Sequence, residues 1–197
     1  MEKIRVFRYL NHNMPIPHEA KKVFSGEIFD VYQWEQVLFD GTTAVFEMLK
    51  RPNSVEVIAT SGDKILVAEE EQPGRPPFYT LVGGRQEVGE PPEDAGKREL
   101  LEESGCASND WELYKEFQPT SKIDWSVYIY IARNCQKTHE PSLDAGEKIN
   151  ILSLSFDDFV ELATHENFRS KELTTDILKM RLIPGELEKF RQRICGM

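Results

Sequence analysis

Between residues 22 and 50 the chain alternates. Val31, Gln33, Glu35 and Val37 interleave with Tyr32, Trp34, Gln36 and Leu38, and Asp40-Gly41 is a hairpin signal between two β-rich runs. This predicts a small antiparallel sheet over 22–50, after an irregular lead-in at 1–20. Its aromatics (Phe24, Phe29, Tyr32, Trp34, Phe39, Phe46) exceed what so small a sheet buries alone, so they must pack on the main body or on a second chain. Arg51-Pro52-Asn53-Ser54 marks a boundary. Strands are predicted at 55–60 and 64–68 around a turn at Ser61-Gly62-Asp63, and a short strand at 78–82 follows a loop rich in Glu, Pro and Gly. Further on come strands at 111–117, 125–132 and 148–154, a polar loop at 134–146, helices at 156–164 and 174–180, and a charged tail helix at 186–194. Strands around a central helix, with more helix at the end, indicate an α/β domain with a mixed sheet.

That central helix is predicted over 92–104. Pro91 and Pro92 suit a first turn, where a missing N–H costs little. Glu93 complements the positive end of the dipole, and Gly105 is a left-handed stop. At ~100° per residue, with Glu99 as zero, Glu103 lies at ~40° and Glu102 at ~300°, so three carboxylates share one arc. Ala95, Gly96 and Cys106 share that side, with Leu100 at its edge, whereas Glu93, Asp94, Lys97, Leu101 and Ser104 lie opposite. A solvated acidic face would lie away from the small and apolar residues; this one coincides with them. Inward carboxylates need a counter-charge. Arg98 reaches Glu102 at i,i+4, but one cation does not balance three anions. Oxygen ligands at this density suit Mg²⁺ or Mn²⁺.

Composition narrows the setting. The chain has 197 residues, 40% hydrophobic and 29% charged, an ordinary globular balance for one domain with or without an appendage. No run approaches the ~18 apolar residues of a membrane span, and the first ten residues lack a signal-type apolar core. Cys106, Cys135 and Cys195 are odd in number, far apart and outside any C-x-x-C, which reads as reduced thiols in the cytoplasm and not as a zinc site. A net charge of −10 disfavours nucleic-acid partners but not a small anionic substrate, because a divalent metal inverts the local field of an acidic pocket.

The pattern G-x5-E-x7-R-E-U-x-E-E-x-G-U, where U is bulky and aliphatic, is met by Gly84, Glu90, Arg98, Glu99, Leu100, Glu102, Glu103 and Gly105, with Cys106 at the last U. The chain thereby resembles the Nudix hydrolases. Its N-terminal meander, Pro119 downstream of Gly105, and the tail 152–180 are similar to the ADP-ribose and ADP-sugar pyrophosphatases among them. The resemblance implies an α/β (α+β) fold: a Nudix-type α/β/α sandwich with a mixed sheet and a small N-terminal antiparallel appendage. It implies 1–52 as arm and meander (dimerisation or substrate lid), 53–182 as catalytic domain and 183–197 as helical tail. It also implies a homodimer and metal-dependent hydrolysis of a nucleoside diphosphate linked to another group, ADP-ribose or an ADP-sugar giving AMP and a sugar phosphate. The remaining alternatives are another nucleotide (a dinucleotide, a GDP-sugar or a damaged NTP) or a nucleotide-sensing module without catalysis.

By the same resemblance Glu99, Glu103 and the Gly83 carbonyl hold Mg²⁺ (or Mn²⁺), Glu102 is a ligand or supports one, and Arg98 orients the carboxylates. Gly84 allows close backbone approach; Glu90 and Gly105 are structural within the motif. A base or further metal ligand is expected from Glu147, with Asp144 and Glu140 as rivals. The resembled group carries Gln-x-Arg after the second core strand. This chain has Glu69-Glu70-Glu71 there, so Arg75 or Arg85 is expected at the phosphates. Trp34 and Phe46 are candidates either to stack on a nucleobase or to pack in a core. His12, His18, His139 and His165 show no ligand spacing.

Overall fold

The computed structural model of the chain describes residues 16–143, 146 and 148–196. In chain order it forms β1 (Lys21–Ser25), β2 (Asp30–Val37), β3 (Thr43–Lys50), β4 (Ser54–Ser61), β5 (Lys64–Glu71), β6 (Phe78–Thr80) and β7 (Val82–Arg85). Helix α1 (Pro92–Ser104) is followed by β8 (Cys106–Ala107), β9 (Asp110–Phe117), β10 (Ile123–Asp124), β11 (Val127–Arg133), β12 (Gln136–Lys137) and β13 (Lys148–Leu154). Helices α2 (Phe156–Leu162), α3 (Lys171–Arg181) and α4 (Glu186–Cys195) complete the order. None of the described helices is long and apolar enough to cross a membrane.

The chain divides into two compact units, one running to Asn53 and joined by Glu116–Val127, the other made of the remainder. In the first, β1, β2, β3 and β10 form a sheet in that order. The β2–β3 hairpin turns at Gly41 (φ 84°), where Leu38 N–H donates to Thr42 O at 2.7 Å and Asp40 Oδ1 accepts from Thr42 N–H and Oγ1. Register places Trp34 opposite Phe46, with ring centroids 6.0 Å apart. The predicted strand over 125–132 begins later, at Val127. Residues 123–124 instead run parallel to β3, and Trp125 lies 4.4 Å under the Arg51 guanidinium.

In the second unit the sheet order is β13-β5-β4-β11-β9. β4 and β5 pair only over Ala59–Ser61 and Lys64–Leu66. Beyond that they part. β5 takes β6 as its partner (Ala68 opposite Thr80) and β4 takes β7 (Val57 opposite Val82). One face packs on α1 through Val57, Ala59, Leu66, Val82, Leu100, Cys106, Ala132 and Cys135. Alternation along β4 sends Ile58 and Thr60 to the other face, where Thr60 Oγ1 donates to Ile194 O of α4 at 3.1 Å. There Phe159, Phe168, Leu173, Ile177 and Ile194 are fully buried, giving an α/β/α sandwich.

The polar loop predicted at 134–146 contains β12, which pairs with β8. Helix α2 is shorter than predicted and ends at Leu162, held at its start by Ser155 Oγ accepting from Asp158 N–H. Helix α3 starts earlier, after Ser170.

Candidate active site

Helix α1 begins where two prolines require it and ends where a glycine permits it. Pro91 is extended (φ −62°, ψ 142°) with Pro92 at the first helical position. At the far end Gly105 is left-handed (φ 69°) and its N–H reaches Leu101 O at 2.8 Å. A Cβ on Gly105 would lie 2.0 Å from His139 O, because Thr138 and His139 N–H both close on Gly105 O at 2.8 and 3.0 Å.

The helix aims its carboxylates at the strand that precedes it. Glu103 is buried, and its Oε2 accepts the Gly83 N–H at 3.1 Å. Glu99 lies against Gly84: a Cβ there would come within 2.5 Å of Glu99 Oε1. Gly83 is equally constrained from behind, with φ 153° and only 2.2 Å from an added Cβ to Val55 O. The two glycines let the backbone touch the carboxylates from one side and β4 from the other.

Arg98 ties the acids together. Its Nε and Nη2 donate to the two Glu90 oxygens at 3.0 and 3.1 Å, Nη1 to Glu99 Oε1 at 2.9 Å and to Glu102 Oε2 at 3.0 Å, and Nη2 also to Arg85 O at 2.9 Å. The i,i+4 pair expected from sequence is one strand of this clamp. The Arg98 bond holds the Glu90 carboxyl below the usual range, aided by Glu87 N–H, and Arg98 itself is pushed further into its charged form. Glu102 departs from the inward arc predicted for it. Its side chain is 44% exposed against 13% for Glu99, because Arg98 draws it to the rim.

A divalent cation fits this edge. Two enclosed carboxylates one helical turn apart converge on a main-chain segment with no room for side chains. Among the described residues no three acidic, imidazole or thiol groups form a ready-made cage. Magnesium demands none, since it takes one or two carboxylates and keeps its remaining positions for water and substrate phosphate.

Of the other residues singled out in the sequence, Arg75 and Arg85 are exposed in the same unit. Trp34 (buried) and Phe46 (half-buried) belong to the first unit, where Lys122 Nζ lies 5.2 Å from the Phe46 ring. Glu140 is exposed and paired to Lys137 at 3.0 Å. Glu147 and Asp144 lie outside the described residues. The loop that leads to them is moored to α1, with Ser142 N–H on Glu102 O at 2.8 Å. Sequence reasoning passed over Glu56, an acid inside the apolar run of β4 directly opposite Gly83. It also passed over Glu70, buried and bonded to Gln72 Nε2 at 2.5 Å. An acid interrupting buried strand residues was the available signal for Glu56; Glu70 sits within the run Glu69-Glu70-Glu71, where spacing gives no such signal.

Comparison with known proteins agrees with this geometry. The NUDIX domain family matches over residues 50–176. The chain is 27% identical over 148 residues to a methanol dehydrogenase activator of Bacillus methanolicus, covering 73% of this chain and 80% of that one. It is 27% identical over 146 residues to an ADP-ribose pyrophosphatase of Bacillus subtilis (strain 168), covering 72% and 79%. The crystal structure of an ADP compounds hydrolase has the same fold, with a TM-score of 0.67 at 20% identity over 84% of this chain and 91% of that one. The family match spans well over half of the chain and contains the whole Gly83–Gly105 constellation, so the chain belongs to the Nudix family and is a Nudix hydrolase.

Proposed function

We propose that the protein hydrolyses the pyrophosphate bond of a nucleoside diphosphate carrying a second group, with ADP-ribose or an ADP-sugar as substrate and AMP and a sugar phosphate as products. The observation that carries this reading is the Glu99–Glu103 edge set against Gly83 and Gly84 and fixed by Arg98. A relative named ADP-ribose pyrophosphatase supports the substrate class. Mg²⁺ (Mn²⁺ as an alternative) held by Glu99, Glu103 and the Gly83 carbonyl, with Glu102 at the rim, would neutralise phosphate charge and acidify a bound water. Arg98 keeps Glu99 and Glu102 oriented before substrate arrives, which favours the transition state without reorganisation. Glu147 is the proposed base, with Asp144 and Glu140 as rivals. Arg85 and Arg75 are the proposed phosphate contacts; Trp34 and Phe46 are proposed either as nucleobase contacts or as packing within their own sheet. Residues 1–52 are proposed as the dimerising segment of a homodimer, 53–182 as the catalytic domain and 183–197 as the tail. The three thiols, none in a disulfide, are compatible with a cytoplasmic setting.

A second reading, the same chemistry on a different nucleotide, is favoured by the edge after β5. There the acid Glu70 and the amide Gln72 bond one another, and neither supplies a cation for phosphate. Release of phosphomonoester from a panel of ADP-ribose, ADP-sugars, GDP-sugars, dinucleotides and oxidised NTPs with Mg²⁺ tests both. Turnover of ADP-ribose or an ADP-sugar above the rest supports the first reading. Turnover of none, with a thermal shift on binding, overturns hydrolysis in favour of a sensor.

A further inference from the structure

Glu56 sits in β4 among Val55, Val57, Ile58 and Ala59, all buried. Alternation turns it away from α1, to the layer of α2–α4. Part of the residue's surface remains accessible, but its Oε2 is sealed and has no hydrogen-bond partner among the described residues. The Ser170 hydroxyl stands beside this carboxyl and favours its ionised form, against the burial that opposes it. Ser170 immediately precedes α3, yet its side chain does not cap that helix. Its Oγ lies instead 3.4 Å from the Leu81 N–H and 3.4 Å from Thr80 Oγ1.

Leu81 is the buried residue at which the β6–β7 run changes ladder from β5 to β4. The 167–169 segment is clamped beside it, with Tyr79 N–H on Asn167 O at 3.1 Å and Arg169 N–H on Tyr79 O at 2.8 Å. Beyond the bend, Gly83 faces Glu56 across the ladder and presents its N–H to Glu103. A Cβ on Gly83 would be 2.9 Å from Glu56 Cα, so this crossing has no slack.

We infer that Glu56 is a positioning residue for the carboxylate edge: through Ser170 it holds the bend at Leu81 and so sets where Gly83 meets Glu103. The inference rests on the hydrolase reading above. Without the carboxyl, Ser170 is released to cap α3, and the buried Leu81 N–H loses its acceptor. An alkyl side chain of similar volume would fill the space but could not hold Ser170. Glutamine could, through its amide oxygen.

The test compares Glu56→Ala, Glu56→Gln and Ser170→Ala in the full chain, with Mg²⁺ and the best nucleotide of the panel. Expected is a loss of kcat of about 10-fold or more in Glu56→Ala and Ser170→Ala with KM within about two-fold, and kcat of Glu56→Gln near that of the parent. A lower melting temperature with unchanged kcat means a purely structural role and overturns the inference, as do equal kcat losses in the Gln and Ala variants. Amide exchange at Leu81 and Gly83, followed by NMR, reads the same link without turnover. Faster exchange in Ser170→Ala supports the inference; unchanged protection overturns it. An inactive parent would sink the hydrolase reading instead, and leave the exchange measurement to decide this one.

Discussion

Glu102 and Glu103 are sequence neighbours that meet opposite environments. Glu103 is enclosed and bonded to Gly83 N–H, whereas Glu102 stands at the rim on Arg98. Glu103→Gln is therefore expected to lower kcat on the order of 100-fold or more at saturating Mg²⁺, and Glu102→Gln by only about a tenth of that factor, both with unchanged circular dichroism. Equal losses would contradict the ordering. The spacing of acids along α1 was legible in the sequence because a helix converts spacing into direction. What separated the two was not, because a projection carries no information on which carboxylate a flexible arginine will draw outward. Glu56 was hidden for a related reason: in one dimension an acid in a strand reads as solvent-facing, and only the third layer buries it. Burial pushes its carboxyl up to about 7 from an ordinary 4.5, partly offset by Ser170. The folded chain thus holds this proton more tightly than the unfolded one. Below about 4.5 both forms are neutral and nothing is lost; stability falls as pH rises to about 7, by about 3 kcal/mol in full, and stays lower above it. In chelator, Glu56→Gln is expected to melt higher than the parent at pH 8 and at the same temperature at pH 4. Parallel curves across that range would exclude the buried acid.

Helix α1 was readable to the residue because both its ends are set by backbone chemistry, Pro92 inside the start and Gly105 past the stop. Gly105 answers two demands, a left-handed φ and close approach to His139 O. Gly105→Ala is expected to destabilise by about 2 kcal/mol or more, lowering the melting temperature by about 4–8 °C. A change below 1 °C in a calorimetric scan would mean that the 138–139 segment yields freely. The short elements were not readable. β8, β10 and β12 have two residues each, too few to show a period, and exist because a neighbouring strand offers unpaired groups. The break between β6 and β7 was invisible for another reason. Residues 78–82 look like one strand, and the change of partner at Leu81 depends on where β4 and β5 separate.

The first unit leaves Val23, Phe24, Val37, Phe39 and Val45 exposed at 51%, 60%, 65%, 114% and 68%; of the aromatics that the sequence put in surplus, Phe24 and Phe39 are among them, whereas Trp34 is buried. A second copy of the chain is the proposed cover for this surface. Val45→Glu is expected to shift the protein from dimer to monomer in sedimentation velocity; a parent that sediments as a monomer would remove the proposal. The second unit has a different consequence stored in its sheet. β4 and β5 separate after a short shared stretch, so the two arms of β6–β7 hang on separate ladders. The exposed stretch 73–77, with Arg75, enters from β5 and returns at Phe78 opposite Glu70. Its length and chemistry can therefore be exchanged without disturbing the register of any core pair. Nature has here a cassette, and an engineer a graft point, where the rim proposed to meet substrate phosphate can be rewritten while the carboxylate edge keeps its place.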